Sequence, residues 1–148
     1  MKKNTIALIT GIMLTTSPVW ADNVGFKTAL SVGETFSLAL NSGTEAVLTW
    51  SNGTTENYTF NANVAKFTVK SDSLTVATST SITSLIASND KLVSLNTDGA
   101  AKLLQLYCPN NQLSSLSLTK NTVLTDLNCE NNSLATLSLT KNTALLSL

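Results

Sequence analysis

The residues able to do chemistry are few. The chain has 148 residues, with two cysteines, Cys108 and Cys129, and no histidine or arginine. Without His, neither Ser-His-Asp nor Cys-His catalysis is available, nor is a His-ligated metal site. Two carboxylates, Asp126 and Glu130, lie four residues apart. A carboxylate pair can hydrolyse glycosides, but this pair falls on one short predicted strand beside no evident pocket. The expectation is therefore no catalytic residue, no cofactor, no metal and no enzyme. Nine lysines balance nine acids and there is no arginine, so nucleic acid is not an expected partner. Two cysteines are too few for a disulfide scaffold.

What must position these residues is a repeat. The string LSLTKNT occurs at 116–122 and again at 137–143, a step of 21 residues. The same step links Leu103, Leu124 and Leu145. It also links Leu106, Leu127 and Leu148, and it pairs Cys108 with Cys129 and Asn111 with Asn132. Extended backwards it reaches Ile82, Leu85, Ala87, Asp90, Leu92 and Leu95. Three turns run 82–102, 103–123 and 124–144, with a partial turn at 145–148. The turns at 103 and 124 read L-x-x-L-x-C-x-x-N-x-L, the leucine-rich-repeat signature; the first turn is a degenerate copy and the last a partial one. Leu106 and Cys108 are two apart and share one face of a short strand. Stacked turns place such strands in parallel about 4.8 Å apart. One turn cannot cover its own leucines, so neighbours must. Asn111 and Asn132 are expected to point inward and bond backbone groups left unpaired at the bend. Asp90 holds that position in the first turn and, as a carboxylate, can only accept. Cys108 and Cys129 have two readings: a disulfide or metal pair, or two buried thiols in register. In-register strands hold Cβ atoms wider than the ~3.8 Å a disulfide prefers, which favours the thiols.

The expected fold is therefore mostly β. It is a short right-handed leucine-rich-repeat solenoid, with a parallel sheet on its concave face and an antiparallel β cap before it. The stretch 82–148 resembles secreted bacterial leucine-rich-repeat proteins of the internalin-like kind, in a 21-residue variant with Cys where most have Leu. LNCENNSLATLSLTKNTAL at 127–145 carries the likeness. The resemblance implies a recognition surface for host proteins or other cell-surface ligands, and binding without chemistry. The repeats here are few, no cap follows them, and the β-rich segment replaces the helical cap of that family.

Residues 1–21 read as a secretory signal peptide. Lys2 and Lys3 precede the apolar stretch Ile6–Leu14, and Val19 and Ala21 are small residues at a cleavage site. No later stretch is long enough to cross a membrane as a helix. A secreted or surface location is implied, the periplasm included. Residues 22–81 form the β-rich module. Its candidate strands are Lys27–Ser31, Thr35–Leu40, Ala46–Trp50, Glu56–Phe60 and Lys66–Lys70, with a last one through Leu74 and Val76. Asn52-Gly53 marks a hairpin between Trp50 and Tyr58. WSNGTTENYTF resembles the W-G-D-G-T hairpin of small β-modules that precede such repeats. Ser51 and Asn52 replace its acidic partner, so no calcium site is carried over. Three N-x-S/T sequons, at Asn52, Asn57 and Asn131, are read as accidental.

Ligand contact is expected on the outward strand positions. These are Ser84, Ile86 and Ser88, then Gln105, Tyr107 and Pro109, then Asp126, Asn128 and Glu130. The last six are the candidate site. Tyr107 is the aromatic anchor, and Asp126 and Glu130 add negative charge. The expected function is a secreted or surface-exposed protein-binding or adhesion module. The alternatives are a non-catalytic targeting arm of a larger surface enzyme, or a structural surface component. The apolar end at Leu145–Leu148 calls either for more chain or for self-association with another copy.

Overall fold

A computed structural model describes residues 22–61 and 63–148; the signal-peptide reading of 1–21 lies outside them. Ten strands follow in order among the described residues. They are β1 (Asp22–Thr28), β2 (Thr35–Leu40), β3 (Glu45–Trp50), β4 (Thr55–Thr59), β5 (Ala65–Thr68), β6 (Ser73–Thr78), β7 (Ser84–Ile86), β8 (Leu92–Asn96), β9 (Gln105–Tyr107) and β10 (Asp126–Asn128). Alternation explains most of them. Val24, Phe26 and Thr28 are buried on β1, while Asn23 and Lys27 are exposed. Leu74 and Val76 do the same on β6. Between β3 and β4 the predicted hairpin forms at Asn52-Gly53. Gly53 takes φ 84°, its N–H donates to the Trp50 carbonyl at 2.9 Å, and the Trp50 N–H donates to the Thr54 carbonyl at 2.9 Å. Only glycine takes that φ without a Cβ penalty.

The strands form two sheets of five, β4-β3-β6-β1-β8 and β10-β9-β7-β2-β5. The first is antiparallel throughout. In the second, β10, β9 and β7 run parallel, whereas β2 joins β7 and β5 antiparallel. One core fills the space between. It unites Trp50, Phe36, Phe60, Leu38 and Leu48 with Leu85, Leu92, Leu103, Leu106, Leu113 and Leu118. Phe36 meets Phe26 edge-on at 5.4 Å and Trp50 at 6.5 Å. The indole N–H of Trp50 reaches Glu56 Oε1 at 3.1 Å, so its polar tip is satisfied at the rim.

This corrects the expected solenoid with a parallel concave sheet. The described residues form an all-strand, sandwich-like fold, and the repeats do not close into a solenoid. The physical reason lies in 82–96. Leu85 of β7 pairs with Leu40 of β2, and Leu95 of β8 pairs with Phe26 of β1. β8 thereby extends the first sheet and β7 the second, and their leucines enter the core that the two sheets share. Parallel pairing is left only to β7, β9 and β10, three residues each. Strand β1 also lies earlier than the predicted Lys27–Ser31, because Thr28 and Ala29 are drawn into bonds with Asp72 and Lys91.

Candidate functional site

The 21-residue step appears directly in the bonding. Ser84, Gln105 and Asp126 stand side by side, as do Leu85, Leu106 and Leu127, and Ile86, Tyr107 and Asn128. The Thr83 carbonyl accepts from Leu104 and Gln105 N–H, and the Leu104 carbonyl from Thr125 and Asp126 N–H. The Thr125 carbonyl in turn accepts from Leu146 and Ser147 N–H. Leu85, Leu106 and Leu127 are buried, so by strand alternation their neighbours face outward.

Four of the six predicted residues, Gln105, Tyr107, Asp126 and Asn128, therefore share one face. Gln105 and Glu130 are exposed; Tyr107, Pro109, Asp126 and Asn128 are half-buried. Two rows cross the strands, Ser84–Gln105–Asp126 and Ile86–Tyr107–Asn128. Pro109 and Glu130 lie past the strand ends. Their carbonyls accept from Asn89 N–H at 3.3 Å and Asn110 N–H at 2.9 Å. Asp126 Oδ2 accepts the Thr125 hydroxyl at 2.7 Å, and Asn128 Oδ1 accepts the Glu130 N–H at 3.0 Å. These local bonds hold the side chains in place. The face also reaches the amino-terminal half, because Ala39 of β2 pairs with Ile86. Sequence spacing carried no signal for that neighbour, since the pairing spans 47 residues between 39 and 86.

Behind the face, asparagines tie the turns. Asn111 Oδ1 accepts from Asp90 and Leu92 N–H, both at 3.0 Å. Its amide donates to the carbonyls of Ala87, Cys108 and Pro109 at 2.9, 3.1 and 3.2 Å. Asn132 repeats the pattern on Leu113, Cys108 and Cys129. A second pair, Asn121 and Asn142, binds the carbonyls of Ala100 and Thr97, and of Leu118 and Asn121. The sequence reading missed it, although both asparagines lie in the repeated LSLTKNT. Asn89, Asn110 and Asn131 recur at the same step with φ of 63°, 56° and 54°. That left-handed region is one asparagine tolerates better than most residues.

Cys108 and Cys129 are free thiols, the first buried and the second half-buried. Burial, and then the neighbouring Cys129, pushes the Cys108 thiol up to about 12, and burial also raises Cys129. Both are protonated at neutral pH, which makes them poor nucleophiles. A recess of about 400 Å³ opens beside Leu127, Asn128, Cys129, Glu130, Leu137 and Leu148. Among the described residues no three His, Cys, Asp or Glu side chains converge to hold a metal ion. No helix among them is long and apolar enough to cross a membrane. Comparison with protein-family models, curated proteins and solved structures gave no match, so no relative assigns a ligand or a family.

Proposed function

We propose that this chain is a secreted or surface-exposed recognition module. It binds a protein or cell-surface ligand on the outer face of its mixed sheet, through Gln105, Tyr107, Pro109, Asp126, Asn128 and Glu130. The observation that carries the reading is the setting of Tyr107. Its ring stands half-exposed between Ile86 and Asn128, on a strand whose Leu106 is fully buried. An aromatic held on a rigid strand and flanked by amide and carboxylate groups gives contact area at low entropic cost. Asp126 and Glu130 favour a ligand that presents a cationic or hydroxyl-rich group there.

The test is a comparison of wild type with Tyr107→Ala and Asp126→Lys against surface-displayed proteins and glycans. The reading expects a ligand held by wild type and weakened at least about tenfold by Tyr107→Ala, with the unfolding midpoint nearly unchanged. Equal binding by all three chains would remove the face from the account.

A further inference from the structure

The loop Asn89–Asp90–Lys91, between β7 and β8, departs from its counterparts in the later turns. Asn89 and Lys91 both have positive φ, 63° and 48°. In the later turns only Asn110 and Asn131 do; Gln112 and Ser133, which match Lys91, do not. A left-handed lysine is strained by its Cβ. Between the two sits Asp90, 1% exposed. Its carbonyl accepts the Thr28 hydroxyl at 2.5 Å, its N–H donates to Asn111 Oδ1 at 3.0 Å, and its Oδ1 accepts the Ser37 N–H at 2.8 Å. The Lys91 carbonyl accepts the Ala29 N–H at 3.0 Å. One short loop thus joins the end of β1, the middle of β2 and the asparagine ladder. The Asp90 Oδ2 is buried with no hydrogen-bond partner among the described residues.

The charged groups around the loop are committed elsewhere. Lys91 lies 3.3 Å from Glu34, whose carboxyl also accepts the Ser31 N–H. Lys27, next to Thr28, lies 3.5 Å from Asp72. Lys66 of β5, opposite Ser37, is exposed. Neither β2 nor β8 carries a titratable side chain. Among the described residues no cation therefore sits on the Asp90 carboxylate.

We propose that Asp90 is a proton-operated latch between β2 and the repeats. Protonated, it keeps Ser37, Thr28 and Asn111 bonded to the loop. Deprotonated, it leaves a buried charge on an oxygen without a donor, on a loop already strained, and the loop opens locally. Burial pushes this carboxyl up to about 7, so the latch weakens as pH rises toward neutrality and has lost its full contribution above it; the Ser37 bond pulls the other way but more weakly. The opening is confined to the amides the latch holds, those of Ala29, Ser37 and Leu92.

The experiment is amide hydrogen exchange from pH 5.5 to 8.5, corrected for intrinsic rates, on wild type and Asp90→Asn. Ser37 protection should fall about tenfold or more between pH 5.5 and about 7 in wild type and level off above, a change of one decade per 1.36 kcal/mol. In Asp90→Asn it should stay flat. The same decline in the variant, or none in wild type, overturns the latch. A second readout needs no variant: the Asp90 side-chain carboxyl carbon, followed by NMR, should titrate near 7. A midpoint in the ordinary carboxylate range overturns it.

Discussion

At the scale of single residues, the fold rests on asparagines that no catalytic motif would single out. Asn111 is buried and makes five bonds to backbone groups of two neighbouring turns. Asn111→Ala strands several buried donors and acceptors, and should cost at least about 2–3 kcal/mol in urea unfolding. Asn132→Ala, at a half-buried position, should cost less. Asp90 sets a pH slope. Its carboxyl is raised from 3.8 to about 7 in the folded chain, so the native state holds this proton more tightly than the unfolded state. The associated stability is present at low pH, is lost as pH rises from about 4 to about 7, and stays lost above. Asp90→Asn should remove that slope and raise stability at pH 8 by about 1–3 kcal/mol, the usual cost of an unsatisfied buried group. Urea midpoints at pH 5 and pH 8 check it. Glu34 and Asp72 lie below the ordinary range, Glu34 through the Ser31 N–H and then Lys91, Asp72 through the Ser73 hydroxyl first. Their contribution is lost only as pH falls through their lowered values, a separate and more acid window. Asn111 and Asn132 were legible because the 21-residue step repeats them. The burial of Asp90 was not, because Thr28 and Ser37, which enclose it, lie more than fifty residues away.

At the scale of elements, local patterning located strands well and partners poorly. Strand β2 falls at Thr35–Leu40 as its alternation indicates, and the β3–β4 hairpin turns at Asn52-Gly53. Repeat spacing also placed β7, β9 and β10 side by side. It could not show that β7 would take β2 as its other neighbour, since no periodicity joins them. Gly99 marks the same point. Positions 120 and 141, one and two steps later, are lysines in exposed turns. At 99 a Cβ would lie 2.5 Å from the Asn23 carbonyl oxygen of β1, so only glycine fits where β1 passes. Gly99→Ala must push β1 away and should destabilise by about 1–3 kcal/mol. Lys120→Ala and Lys141→Ala should fall within about 0.5 kcal/mol of wild type. Thermal melts of the three variants decide this.

At the scale of the whole molecule, the composition indicated a folded chain, alternation a β-rich segment at 22–81, and the leucine pattern stacked turns. What the repeat pattern did not show is that the first repeated strands join the sheets of the segment before them instead of starting a parallel solenoid. Leu85, Leu92 and Leu95 bury themselves against Phe36, Trp50 and their neighbours in one core, where each fully buried leucine contributes about 1.5–3 kcal/mol. A common core should unfold as one unit. Leu106→Ala, in the repeats, should lower the urea midpoint read by Trp50 fluorescence as much as that read by far-UV circular dichroism, with Trp20→Phe as background. A loss of about 2–5 kcal/mol is expected.

The most direct measurement is a set of backbone NOEs across two strand pairs. The account predicts contacts between Phe26 and Leu95, and between Leu40 and Leu85, alongside those joining Leu85, Leu106 and Leu127. Contacts among the 21-residue repeats alone, with none from 82–96 to β1 or β2, would contradict it.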